Sequence, residues 1–96
     1  MAAWKRDLRE QVIARDGLMC RYCGVALVEP PAGRQPTPAE LADLATLDHW
    51  VPPGRGGSTK APANAVLACP PCNQDKAGLT GPEYLLVLAY RALSSG

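Results

Sequence analysis

Four cysteines, set as Cys20-Arg21-Tyr22-Cys23 and Cys69-Pro70-Pro71-Cys72, constrain this chain more than any other feature. Two-residue spacing lets both sulfurs of a pair face one ion, and two such knuckles complete a closed tetrahedral zinc site. The other states open to four cysteines are two disulfides or buried free thiols. The opening MAAWKRDLRE is charged and carries no apolar leader segment, which points to a reducing compartment where disulfides are rare. A thiol–disulfide exchange protein would instead need reactive thiols and no bound metal.

The rest of the composition explains why a staple is needed. A single domain of 96 residues buries only about 60% of its unfolded surface. This one has no Phe, five aromatic residues, ten prolines and nine glycines, so its apolar core is poor and its loops are many. Metal ligation commonly supplies the missing stability in chains of this kind. The formal charge is +1, and four thiolates with one Zn²⁺ lower it to −1. Bulk positive charge is therefore excluded as a way of gripping nucleic acid, and a local patch or an ion must do so. The longest apolar run, Tyr84 to Tyr90, is far short of a membrane span.

Along the chain, Trp4, Leu8 and Val12 recur at helical spacing, Ile13 widens the stripe, and Gly17 terminates it. The first knuckle follows, then a β-prone run Val25-Ala26-Leu27-Val28. Residues 29–38, EPPAGRQPTP, form a Pro-rich surface loop. Thr37-Pro38-Ala39-Glu40 is a capping box opening a short helix through Leu44. An extended segment Ala45–His49 ends in the turn formers Pro52-Pro53 and Gly54-Arg55-Gly56-Gly57, and Asn64–Ala68 is a second strand candidate. A short helix after Cys72 stops at Gly78, and a capping box Thr80–Glu83 opens a final apolar helix over about 81–93. That helix reads as core, with a dimer or partner surface as the alternative.

The chemistry concentrates in Asp48-His49, Asn64 and Asn73. His49 is the only histidine, and an imidazole is suited to general-base work near neutral pH. Asp48 and Asn73 offer oxygen donors acceptable to a hard divalent ion such as Mg²⁺ or Mn²⁺, with Gln74 and Asp75 as rivals. Asn64 is placed to orient the imidazole or to hold a turn, and Asn73 to cap a helix or to ligate. Arg55, Lys60 and Lys76 are the candidate phosphate contacts, or else solvated charges. Trp50 reads as core packing. Neighbouring strand residues face opposite ways, so Asp48 and His49 share a site only where the strand ends or bulges.

DHWVPPGRGG…NAVLACPPCNQDKAG resembles the HNH endonuclease motif of the ββα-metal nucleases, with RDGLMCRYCG similar to the knuckle that precedes it. The likeness spans roughly residues 15–78. It implies an α+β fold: a small zinc-stapled domain with a ββα-metal core and flanking N- and C-terminal helices, one domain over 1–96. It further implies DNA phosphodiester hydrolysis, with His49 as base, Asn64 positioning it, Asp48 and Asn73 holding the catalytic ion, and Cys20, Cys23, Cys69 and Cys72 holding structural zinc. The products would be 5′-phosphate and 3′-hydroxyl ends. Two departures stand out. Asn73 replaces the motif's last histidine, which favours Mg²⁺ or Mn²⁺, and the segment from Val28 to Leu44 is long. By analogy with small free-standing relatives, the setting is the cytoplasm of a bacterial or phage-infected cell, as monomer or weak dimer, beside a phage terminase or other DNA-delivering protein. The competing expectation is a catalytically silent zinc module that binds DNA or a protein partner.

Overall fold

The computed structural model describes residues 3–95. Four helices surround one two-stranded antiparallel sheet, which makes a small α+β domain. Helix α1 (Ala3–Asp16) buries Leu8 and Val12, as the four-residue spacing of its apolar stripe requires. The stripe packs on strand β2 (Ala65–Ala68). Arg15 fastens the end of the helix there, donating to the carbonyls of Pro62 at 2.9 Å and Ala65 at 2.8 Å.

Strand β1 (Thr46–His49) pairs with β2 in the register Thr46↔Ala68, Leu47↔Leu67, Asp48↔Val66 and His49↔Ala65. Every residue of β2 is buried, so the hairpin forms the centre of the core. Asn64, expected to open this strand, instead ends a 3₁₀ turn over Pro62–Asn64, and the strand begins one residue later. Helix α2 (Pro38–Ala42) is opened by the Thr37–Glu40 capping box but stops two residues before Leu44. Leu44 is needed elsewhere, since it bridges to Val28.

The run Val25–Val28 forms no strand. Its contacts are single bridges, Met19↔Ala26 and Val28↔Leu44, because the knuckle turn leaves no neighbouring segment long enough to pair with it. Helix α3 (Pro70–Lys76) starts inside the second knuckle rather than after Cys72. Proline suits the first helical turn, where no amide hydrogen is needed, so Pro70-Pro71 pull the helix start forward. Helix α4 (Gly81–Ser94) is opened by the Thr80–Glu83 capping box. Tyr84 is buried on α4, whereas Leu86, Tyr90 and Leu93 are largely exposed.

Candidate active site and zinc centre

The first knuckle turns through Gly24, whose φ of +79° few side chains tolerate. Its amide donates to the Cys20 carbonyl at 3.0 Å, and Arg21 donates to Leu67 of β2 at 2.9 Å. The second knuckle runs from β2 into α3, so the sheet brings the two together. All four sulfurs lie within 4.8 Å of one another, and Cys23 and Cys69 are 3.8 Å apart. A tetrahedral ion with Zn–S bonds of about 2.3 Å sets its sulfurs about 3.8 Å apart, so the cluster fits zinc. Burial pushes the Cys20 thiol up, but hydrogen bonds from the backbone of Cys23, Cys69 and Tyr22 outweigh it and bring it down to about 7. Burial pushes the Cys72 thiol up.

Tyr22, between the cysteines of the first knuckle, has a role that no local sequence signal marks. Its ring stacks on Trp50 at 6.2 Å and meets Tyr84 edge-on at 5.2 Å. Its hydroxyl donates to Asp48 Oδ2 at 2.5 Å. Burial, with the hydrogen bond to Asp48 adding to it, raises the Tyr22 pKa and keeps the phenol neutral. One hydrogen bond thus joins the four-cysteine cluster to Asp48. Trp50 is half-buried against the core, under the Arg21 guanidinium, 4.8 Å from the ring centre.

Asp48 is buried, and its second partner corrects an expectation. Lys76, read as a surface contact for phosphate, has a side chain only 1% exposed; its ammonium lies 3.2 Å from Asp48 Oδ2. It also donates to the His49 carbonyl at 2.8 Å. A lone buried ammonium is costly, and Asp48 relieves that cost. Asn73, on the same side of β1, donates to Thr46 Oγ1 at 3.0 Å and to the Leu47 carbonyl at 3.3 Å. Its Oδ1 takes no hydrogen bond among the described residues. Asp75 is engaged by the Tyr84 hydroxyl at 2.9 Å and by Arg91 at 2.5 Å. Gln74 is exposed.

His49 is the last residue of β1, where the regular alternation of strand side chains ends, and it lines the same cleft as Asp48. Its Nε2 is 3.0 Å from the Thr59 carbonyl. A carbonyl only accepts, so Nε2 is the donor, and in the neutral ring the lone pair is then on Nδ1. Asn64 does not touch the ring. Its amide donates to the carbonyls of Val51 and Ser58, both at 2.9 Å, and its Oδ1 accepts from the Val51 amide at 2.9 Å. These bonds clasp the loop that carries Thr59. Gly57 sits inside this clasp, and a Cβ there would meet the Val51 oxygen at 1.7 Å.

Arg55 is ion-paired to Glu83 at the start of α4. Lys60 is exposed, with its ammonium 5.0 Å from the centre of the Trp4 ring. Beside His49, between α1 and β1, lies a cleft of about 350 Å³.

A family model described as HNH endonuclease matches residues 20–78, well over half of the chain. No curated protein matches. No solved structure matches either.

Proposed function

This chain belongs to the HNH endonuclease family, and on that premise we propose that it is a metal-dependent endonuclease hydrolysing phosphodiester bonds in DNA, acting as one domain over residues 1–96. The observation that carries the reading is the imidazole of His49, whose Nε2 is 3.0 Å from the Thr59 carbonyl and whose Nδ1 takes no hydrogen bond among the described residues. In this reading Nδ1 takes a proton from water as the water oxygen bonds to phosphorus. The P–O3′ bond breaks, and the 3′ oxygen leaves with the bonding pair and gains a proton from solvent. A 5′-phosphate and a 3′-hydroxyl result. Asn64 contributes by holding the loop that fixes the tautomer.

Asp48 and Asn73 would hold the divalent ion, Mg²⁺ or Mn²⁺, because both are oxygen donors on the α3 side of β1. When bound, that ion supplies positive charge to the phosphate and the departing oxygen. The donor chemistry fits such an ion provided that Lys76 gives up its hold on Asp48. The four cysteines would hold zinc for structure only. With a formal charge near zero, the chain would bind DNA weakly by itself, which suits delivery by a partner such as a phage packaging protein.

One observation favours the silent zinc module instead: the Asp48 carboxylate is already neutralised by Lys76. A supercoiled-plasmid assay with zinc-loaded protein and added Mg²⁺ or Mn²⁺ separates the two. His49→Ala is expected to keep its zinc and fold and to lose about 10²–10⁴-fold in cleavage. A folded wild type that leaves the plasmid intact supports the silent module. Equal cleavage by both proteins removes His49 from the role of base.

A further inference from the structure

Of the three cations expected to meet phosphate, Arg55 is held by Glu83 and Lys76 is buried under Asp48. Positive charge gathers somewhere else. Lys5 and Arg9, one turn apart on α1, line the cleft beside His49. Lys60 reaches toward the same place, over the ring of Trp4. Asp48 is the one carboxylate among the lining residues, and it is bound to Tyr22 and Lys76.

The cleft is not merely a gap between charges. Its lining is mostly apolar, Leu8 and Leu47 included, and Trp4 stands half-buried at its side. At about 350 Å³ it falls at the small end of ligand pockets, which run from about 300 to 1,000 Å³. An apolar, aromatic-walled space with a cationic mouth suits a planar heterocycle carrying phosphates. Bases stacked in a duplex offer only their edges, so a base enters such a space only when unpaired.

We propose that this cleft receives one unpaired nucleotide of DNA next to the scissile phosphate, its base against Trp4 and its flanking phosphates on Lys5 and Arg9. The identity of the ligand rests on the nuclease reading above. The substrate class is then DNA with a local single-stranded element at the cut: a flap, gap or bubble. Aromatic stacking tolerates any base, so the preference is for structure over sequence.

The test uses zinc-loaded full-length protein carrying His49→Ala, in Ca²⁺, with a fluorescein-labelled duplex and the same duplex containing a three-nucleotide bubble. Anisotropy is followed across a salt series. The bubble is expected to bind at least tenfold more tightly than the duplex. Lys5→Ala with Arg9→Ala should weaken bubble binding and reduce the slope of log K against log salt by about 1.5, the share of two phosphate contacts. Trp4→Ala should erase the preference, and Trp4→Tyr should keep it, which guards against a variant that merely fails to fold.

Equal binding of bubble and duplex, or an unchanged salt slope in the double variant, overturns the proposal. The two readings fail separately. Bubble preference with no cleavage by the His49-containing protein leaves the cleft standing and removes the nuclease. Plasmid cleavage whose KM ignores Lys5 and Arg9, on nicked as on bubbled DNA, removes the cleft alone.

Discussion

Lys76 carries its charge into the interior because Asp48 and the His49 carbonyl meet it there. Breaking a buried pair by removing one partner costs about 3–5 kcal/mol, since the other charge is left uncompensated. Lys76→Met should therefore destabilise the zinc-loaded protein by about that amount, and adding Asp48→Asn should restore much of the loss. Thermal unfolding of the two single variants and the double variant measures the coupling. Simple additivity would mean that the pair does not interact. None of this was legible in CNQDKAG, where a lysine in a polar run reads as solvated. The burial is set by a carboxylate 28 positions earlier, and no local pattern encodes such a contact. The same holds for Tyr22, whose partner Asp48 lies 26 positions away. The cysteines were legible because their spacing alone carries the chemistry of the ligand set.

Among the elements, those with local rules could be read directly. The capping boxes at Thr37–Glu40 and Thr80–Glu83 open α2 and α4, since both hydrogen bonds lie within four residues. Elements needing a distant partner have no such local rule, and Val25–Val28 has only isolated bridges. The docking of α4 was also invisible. Its first residue, Gly81, donates to the Trp50 carbonyl at 2.7 Å and lies against the indole. A Cβ there would stand 2.1 Å from the ring. Gly81→Ala should therefore push Trp50 off Tyr22 and cost about 1–3 kcal/mol, as overpacking does. Tryptophan fluorescence and the unfolding midpoint report it, and an unchanged midpoint would show that α4 is free to shift. Gly78, by contrast, has open space around it, so Gly78→Ala controls for composition.

For the whole molecule, a metal ion held by the four-cysteine cluster would be the largest single term. Structural zinc contributes on the order of 10 kcal/mol, against a total stability of about 5–15 kcal/mol for a typical domain. A strong chelator should thus unfold the chain, seen as loss of helical circular dichroism and of Trp50 burial. Retention of both spectra in metal-free protein would assign stability to the core instead. Acid should act in the same direction, because the ligands bind as thiolates and zinc affinity falls as they protonate. No helix among the described residues is long and apolar enough to cross a membrane. The α+β architecture and the family were legible from motif order, but the cleft was not. Trp4 and Lys5 share a cleft with His49 only because α1 packs against the hairpin.

Past Pro30, which lines the cleft, the Pro-rich stretch up to α2 is mostly exposed, on the path that joins one knuckle to the other. Doubling the length of a flexible connection adds only about 0.6 kcal/mol to the entropy of closing it. Length there is close to neutral for selection, whereas the Asn64 clasp admits no extra residue without losing its bonds. Descendants of this chain can therefore diversify by insertion at that one stretch, acquiring new surface while the hairpin, the knuckles and the cleft are inherited unchanged.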